Sequence, residues 1–127
     1  MKWAGILSDP KQHVLVIEKD REIKGFGGYG KSRDEDALKR VGEVYAIYLD
    51  HTVFGAGLGT ILLGELEKAL RENNFTSATL WVLATNVQAR KFYEAKGWTL
   101  DGREKIEIKD GTKLVEVRYR KELKLKK

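Results

Sequence analysis

Three glycines on alternate positions, Gly55, Gly57 and Gly59, lie directly before a helical pattern in the segment VFGAGLGTILLGELEKALRE, residues 53–72. The start of a helix offers unpaired backbone N–H groups and the positive end of the helix dipole, and both favour a phosphate group. Because glycine has no Cβ, a phosphate can approach those N–H groups closely. The spacing therefore predicts an anion-binding turn, with a purely structural tight turn as the alternative.

Two common phosphate-binding loops do not fit this spacing. A P-loop requires G-x-x-x-x-G-K-[ST], whereas Thr60 follows Gly59 with no lysine between them. A dinucleotide fingerprint requires G-x-G-x-x-G and an acidic residue at the end of the next strand, but the next strand here ends in the sequence LATN, residues 83–86. Nucleotide kinase, GTPase and dinucleotide-dependent activities are therefore not predicted.

The elements around the glycines are predicted from hydrophobic periodicity. A helix should begin near Gly57 and end at Asn73–Asn74, because apolar residues recur at helical spacing between these positions. Alternating, β-branched segments at 43–50 and 77–83 predict strands before and after it. A second, shorter helix at 87–96 should be capped by Asn86 and stopped by Gly97.

Two hairpins are predicted on either side of this central part. Residues 14–18 and 23–29 read as strands joined by a charged turn at 19–22, and the strands at 104–108 and 114–119 flank Asp110–Gly111. The glycines of the second strand, at 25, 27, 28 and 30, indicate close backbone packing or a bulge. Together these elements predict one α/β (α+β) domain over residues 1–127.

Composition excludes several classes of function. The chain has 42% hydrophobic and 34% charged residues, and no apolar run approaches the roughly 20 residues that span a bilayer, so we expect a cytoplasmic protein without membrane contact. Cysteine is absent, and His13 and His51 stand alone, so no metal site is expected. The net charge of +5 leaves a nucleic-acid-binding module as an alternative, but Lys124 and Lys127 belong to a lysine-rich tail that supplies much of the excess.

Residues 43–102 resemble the GNAT superfamily of acyl-CoA-dependent N-acetyltransferases. The resemblance covers the strand at 43–50, the glycine turn and its helix, the next strand, and a pattern N-x-x-A-x-x-F-Y-E-x-x-G-[FW]. That pattern is matched by Asn86, Ala89, Phe92, Tyr93, Glu94, Gly97 and Trp98. The family's loop usually begins with Gln or Arg, whereas Phe54 stands at that position here. The resemblance implies a mixed, mostly antiparallel sheet with flanking helices.

The resemblance also implies acetyl-CoA as co-substrate and a set of residues that bind it. In the family, the fourth and fifth strands splay apart and the pantetheine arm pairs with fourth-strand backbone, here Ile47, Tyr48 and Leu49. The pyrophosphate meets backbone amides of the glycine turn, here those of Gly55, Ala56, Gly57, Leu58, Gly59 and Thr60. The residue matching Asn86 touches the cofactor, and Asn86 also reads as a plain helix cap.

Two residues are candidates for the chemistry of acetyl transfer to an amine. Tyr93 matches the family's tyrosine that protonates the CoA sulfur, and a phenol with a pKa of about 10 is protonated at neutral pH. Glu43 matches a glutamate that serves as general base in some members. Strict alternation places Glu43 on one face with Tyr45, Ile47 and Leu49, towards the acceptor cleft. For both residues a structural role is the alternative.

The start of the sequence departs from the resembling family, which has a strand and two helices before its second strand. Here Trp3 to Leu7 reads as the end of the second helix, and only Ser8-Asp9-Pro10 and a short connection separate it from the strand at 14–18. This N-terminally shortened form should leave one sheet edge unpaired, and we expect a homodimer that covers it. The resemblance implies an acceptor that is a small-molecule or peptide amine, which the sequence does not identify. A GNAT-like scaffold that binds CoA without catalysis remains the main alternative.

Overall fold

A computed structural model describes residues 5–9, 13–50 and 57–123, with residues 5–9 described by their backbone alone. Its strands and helices follow one another as β1 (Gly5–Asp9), β2 (Val14–Lys19), β3 (Glu22–Lys31), β4 (Val41–Leu49), α1 (Leu58–Glu72), β5 (Ser77–Leu83), α2 (Val87–Ala95), β6 (Thr99–Lys109) and β7 (Thr112–Glu122). The strands form a seven-stranded sheet in the order β1-β2-β3-β4-β5-β7-β6. Neighbours are antiparallel except for β4 and β5, which are parallel. The predicted α+β class with a mostly antiparallel sheet is confirmed.

The prediction that Trp3 to Leu7 is the end of a helix is wrong for the residues of this segment that the structure describes. Residues 5–9 form β1, which pairs antiparallel with β2 from Gly5 opposite Glu18 to Asp9 opposite Val14; Trp3 lies outside the described residues. Pairing with the edge of β2 satisfies the backbone groups of both strands, and this long-range gain outweighs local helical preference. The edge of β2 is therefore paired rather than open. Self-association stays a prediction.

Helix α1 supplies much of the hydrophobic core. It begins after Gly57, whose φ of 79° lies in the left-handed region that favours glycine, and it ends before Asn73 and Asn74, the latter with φ of 68°. Its buried leucines recur at helical spacing and pack on one face of the sheet: Leu58, Leu62, Leu63, Leu66 and Leu70. The predicted helix and both of its ends are confirmed.

Helix α2 packs on the same sheet face as α1. The Asn86 side chain accepts a hydrogen bond from the backbone N–H of Ala89 at 3.1 Å, which caps the first turn as predicted. After the helix, Gly97 adopts a φ of 90°, and the indole N–H of Trp98 donates to buried Glu67 of α1 at 3.2 Å. These contacts fix the orientation of α2 relative to the cleft between β4 and β5.

Both predicted hairpins are confirmed, although β6 and β7 are longer than expected. The glycines of β3 pack closely, as predicted: a Cβ at position 27 would lie 2.6 Å from Leu66 Cδ1, and one at position 30 would lie 2.6 Å from the Tyr45 hydroxyl. The connection from β3 to β4, residues 32–40, is named the β3–β4 loop. It crosses the sheet face opposite the two helices.

Arg118 of β7 holds the β3–β4 loop against that face. Its neighbour Tyr119 points into the core, so the guanidinium points away from the helices. It donates to Asp36 at 2.8 Å, to Asp101 at 2.6 Å and to Asp34 at 3.1 Å. The hydrogen bond with Asp36 is the main cause that raises the pKa of Arg118, and the same bond lowers the pKa of Asp36 to about 2. One buried cation therefore ties a loop to two strands of the sheet.

Arg118→Met should lower the free energy of unfolding by about 2–3 kcal/mol, because three carboxylates lose a charge-assisted hydrogen bond, while Asp34 keeps Lys105 and Trp81 as partners. Lys113→Met is a matched control on the same strand, at an exposed position. Urea denaturation of the two variants and the wild type measures the difference. Equal midpoints for both variants would contradict a stabilising role for Arg118.

Because Arg118 binds three carboxylates, the free energy of unfolding should decrease as the pH falls. The pKa of Asp36 is lowered to about 2 in the folded protein. The contribution of Asp36 to the free energy of unfolding is therefore complete when the pH is above the usual aspartate pKa of about 4, and it is lost as the pH falls towards 2. The wild type should therefore lose more stability than Arg118→Met when pH falls through this range. Denaturation midpoints at pH 5 and at pH 3 provide the comparison.

Candidate functional site

The parallel strands β4 and β5 pair over a short stretch and then diverge. Pairing joins residues 41–43 to residues 77–79, while β4 continues to Leu49 and β5 to Leu83 without further pairing between them. On their other sides, β4 stays paired with β3 and β5 with β7. The sheet therefore contains a V-shaped gap at its centre, with backbone of both strands along its sides.

A cavity of about 660 Å³ fills this gap and reaches the start of both helices. Its walls come from β4, from the first turn of α1, from β5 and from α2. The lining residues are Val44, Tyr45, Ala46, Ile47, Leu49, Gly57, Leu58, Gly59, Thr60, Leu80, Trp81, Val82, Asn86, Gln88, Ala89, Phe92 and Tyr93. Apolar surface predominates in these walls, and polar groups of Thr60, Asn86, Gln88 and Tyr93 are placed among it, as is usual for small-molecule sites.

Strand β4 carries a bulge that changes which residues share a face. Consecutive residues of β3 pair with Val44 and Ala46, so Tyr45 is the extra residue. Val44 lies in the core, and Ile47 and Leu49 pack against it, whereas Glu43 and Tyr45 contact the opposite side of the sheet. The prediction that strict alternation places Glu43 on the face of Ile47 and Leu49 is therefore wrong.

Most of the residues predicted to bind the cofactor line the cavity. They are Ile47, Leu49, Gly57, Leu58, Gly59, Thr60 and Asn86. The side chain of Tyr48 is exposed on the other face, where its ring stacks on Phe26 with 5.6 Å between ring centroids. Gly55 and Ala56 lie outside the described residues. Within the described part of the glycine turn, the predicted residues come together.

The start of α1 has the features of an anion site. Gly57 precedes it with no side-chain cap, and the first turn contains no acidic residue. The first N–H groups of an α-helix have no partner inside the helix, and those of residues 58–60 have no partner among the residues that the structure describes. Among the described residues other than its chain neighbours, none has a heavy atom within 4 Å of a Cβ at Gly57, so this side of the turn is open towards the described part of the chain. These residues fit a phosphate group.

Tyr93 lies where the apolar wall of α2 meets the core. Its side chain is 7% exposed and contacts the rings of Phe92, Trp98 and Tyr119. Burial raises the pKa of Tyr93 to about 12, because an apolar environment disfavours the phenolate. The residue lines the cavity, and its hydroxyl donates no hydrogen bond to a described residue. Tyr93 therefore presents a neutral phenol that is a proton donor at physiological pH.

Glu43 does not line the cavity and is not brought together with Tyr93. Its buried carboxylate accepts hydrogen bonds from the backbone N–H of Arg33 at 2.9 Å and from the Arg33 guanidinium at 3.0 Å. The contact raises the pKa of Arg33, with the hydrogen bond to Glu43 as the main cause. Sequence reasoning missed Arg33, because no local pattern relates the β3–β4 loop to strand β4.

Four further cavity residues carry rings or amides and were not predicted to bind the cofactor or to take part in catalysis: Tyr45, Trp81, Gln88 and Phe92. Phe92 stands beside Tyr93 in the F-Y pair, a signal that was available in the sequence. Across the described ranges, no group of three or more His, Asp or Glu side chains is placed to hold a metal ion, and neither helix is long and apolar enough to cross a membrane.

Residues 1–98 match the family model described as the acetyltransferase (GNAT) family. The chain belongs to the GNAT family. An uncharacterised N-acetyltransferase of Archaeoglobus fulgidus is 33% identical over 96 residues, which are 75% of this chain and 64% of that protein. The chain spans less than two thirds of the length of the curated relatives it matches.

Solved structures share the GNAT fold of this chain. A ribosomal-protein-alanine N-acetyltransferase from Brucella melitensis has a TM-score of 0.76 and 25% identity, with 87% of this chain and 68% of that chain covered. An acetyltransferase from Salmonella typhimurium, solved with its cofactor acetyl-CoA, has a TM-score of 0.74 and 22% identity, with 87% and 64% covered. The order of the strands and the gap between β4 and β5 are therefore features of a GNAT domain.

Proposed function

We propose that this GNAT protein transfers the acetyl group of acetyl-CoA to a primary amine. The observation that carries the proposal is the cavity between β4 and β5. It extends from the N-terminus of α1, which has no side-chain cap, to the buried and protonated Tyr93. The first feature suits a pyrophosphate, and the second suits the departing thiolate. Family membership and the acetyl-CoA in the Salmonella structure support the choice of co-substrate.

The proposed chemistry needs one bond made, one bond broken and one proton moved. The neutral amine nitrogen attacks the thioester carbonyl, a C–N bond forms, and the C–S bond breaks. We assign Tyr93 the transfer of its phenolic proton to the thiolate sulfur, because its side chain lines the cavity and its phenol is protonated at neutral pH. The proton that the amine loses then restores the phenol through solvent.

Backbone groups of the cleft carry the proposed binding of acetyl-CoA. The diverging part of β4, which includes Ile47 and Leu49, can pair with the amides of an extended pantetheine arm. The N–H groups after Gly57 would meet the pyrophosphate, and Asn86 stands at the start of α2 on the cavity wall. Phe54 replaces the usual Gln or Arg of the loop, and we expect the loss of that polar side chain to weaken cofactor binding without abolishing it, because backbone amides make most of the proposed contacts.

Glu43 is a different case from Tyr93. The proposal that it acts as general base rests on the family resemblance, and both of its carboxylate oxygens are engaged by Arg33. The contacts support another role, in which the buried carboxylate fixes the position of the exposed Arg33 side chain. Glu43→Gln separates the two roles, because a base is lost in that variant while a hydrogen-bond acceptor for Arg33 is kept.

CoA should stabilise the fold if the cavity is its site. A ligand that binds the folded form alone adds about 2.7 kcal/mol at a hundredfold excess over Kd, which corresponds to a rise in Tm of about 10 °C for a domain of this size. A thermal shift with CoA, run beside a thiol-release assay with acetyl-CoA and a panel of amines, tests binding and catalysis together.

The two measurements separate the alternatives. A thermal shift with no thiol release for any amine would favour the scaffold that binds CoA without catalysis. Absence of a shift at millimolar CoA would contradict the cofactor assignment itself. Binding of nucleic acid that survives about 0.5 M salt would favour the nucleic-acid-binding alternative, because purely electrostatic attachment is lost under those conditions.

A further inference from the structure

Two aromatic residues of the cavity have their side chains on the sheet face opposite the helices. The hydroxyl of Tyr45 donates to the backbone carbonyl of Lys31, and the indole N–H of Trp81 donates to Asp34 Oδ1 at 3.0 Å. Both partners belong to the end of β3 or to the β3–β4 loop, which lies on this face. Tyr45 and Trp81 come from β4 and β5, so they flank the gap on its second side.

A cation lies over each of these two rings. The guanidinium carbon of Arg33 is 4.1 Å from the centroid of the Tyr45 ring, and the Nζ of Lys105 is 4.1 Å from the centroid of the Trp81 ring. Both distances are within the range of a cation–π interaction, which fixes the position of a long side chain. The two cations do not line the cavity themselves; each lies over a ring that lines it on this side.

The counter-ions of these cations lie beneath them. Arg33 pairs with Glu43 and Lys105 pairs with Asp34 at 3.6 Å. The carboxylate side chains are 3% and 7% exposed, whereas the side chains of Arg33 and Lys105 are 65% and 52% exposed. Each pair therefore presents its positive member to solvent. A guanidinium has five N–H donors and an ammonium has three, so both cations retain donors for a further oxyanion.

We propose that the acceptor is a small amine that also carries an oxyanion, a carboxylate or a phosphate, and that Arg33 and Lys105 bind this group. The inference rests on the proposed function, because acetyl-CoA would enter from the start of α1 and leave the second side of the gap to the acceptor. Charge-assisted hydrogen bonds to the oxyanion would hold the amine nitrogen beside the thioester. Glu43 then acts as a positioning residue for Arg33.

Matched acceptors that differ in charge test this proposal. The thiol-release assay is run with glycine and glycinamide, and with O-phosphoethanolamine and ethanolamine, each pair giving a ratio of kcat/KM values. Comparing the ratio between enzymes cancels the different basicity of the two amines. Lys105→Gln should lower the ratio for the preferred pair about tenfold relative to wild type, the size expected for a charge-assisted hydrogen bond. Asp34 keeps its bonds to Trp81 and Arg118 in this variant.

Lys109→Gln is the matched control, because it removes the same charge from an exposed position on the same strand. Arg33→Gln provides a second test, with the thermal shift by CoA as evidence that the variant is folded. A drop for the glycine pair assigns a carboxylate and a drop for the ethanolamine pair assigns a phosphate. Ratios in Lys105→Gln and Arg33→Gln that equal those of wild type would overturn the inference while leaving acetyl transfer intact. Absence of thiol release with every amine would instead contradict the proposed function.

Discussion

Tyr93→Phe should lower kcat about a hundredfold while leaving the Kd for CoA within a factor of about two. The substitution removes the phenolic proton that the departing thiolate needs, and general acid catalysis typically contributes a factor of about 10²–10⁴. The ring and its packing against Phe92, Trp98 and Tyr119 are kept, so the cavity wall is unchanged. A loss of kcat without a loss of binding is the signature of an interaction made in the transition state.

Tyr29→Phe is the matched control for loss of a buried tyrosine hydroxyl. Tyr29 is also buried, burial also raises its pKa, and it does not line the cavity. Steady-state kinetics and calorimetric titration with CoA on both variants give the comparison. If Tyr93→Phe turned over as fast as Tyr29→Phe, the hydroxyl of Tyr93 would have no part in the chemistry and its role would be structural.

The pH profile gives an independent check on the same residue. Because the pKa of Tyr93 is raised to about 12, the acid form persists well above pH 10. Between pH 7 and pH 10, the kcat of the wild type should therefore fall no more than the kcat of Tyr93→Phe does. A fall in this range that Tyr93→Phe abolishes would mean that the phenol titrates at an ordinary value, against the burial of its side chain.

Local signals in the sequence were sufficient for the elements that build the site. The leucine spacing of α1 and the cap at Asn86 depend on residues within a turn or two of one another, and such short-range patterns are read directly. Strand β5 falls on the predicted residues 77–83 because its apolar run is bounded by turn residues. The cavity forms from these elements once β4 and β5 diverge.

The features that were missed depend on contacts between distant residues. The bulge at Tyr45 adds one residue to β4 and reverses the face on which the later residues of the strand lie, and nothing in the alternation of the strand marks it. Arg33 and Lys105 meet aromatic rings 12 and 24 positions away in the chain. The pairing of β1 likewise joins residues up to 13 positions apart, as for Gly5 and Glu18.

Gly57→Asp should weaken CoA binding at least a hundredfold and leave the free protein folded. A carboxylate at this position would lie beside the N–H groups that start α1, where the pyrophosphate is proposed to bind, and would repel it as well as occupy its space. The fold should tolerate the change, because no described residue other than its chain neighbours has a heavy atom within 4 Å of a Cβ at this position. Aspartate also adopts positive φ more readily than most residues, which limits the strain at φ 79°.

The added carboxylate should act in opposite directions on the two measured quantities: it should favour the helix in the free protein and disfavour the bound pyrophosphate. A negative charge near a helix N-terminus stabilises the helix by about 0.3–1 kcal/mol, so the free protein should keep its Tm within a few degrees while affinity for CoA falls. Gly64→Asp is the control, since it places the same side chain at an exposed, open position later in α1 and should bind CoA normally. Calorimetric titration of both variants measures the affinities. A Kd for Gly57→Asp within about threefold of that for Gly64→Asp would mean that the pyrophosphate does not lie at the start of α1.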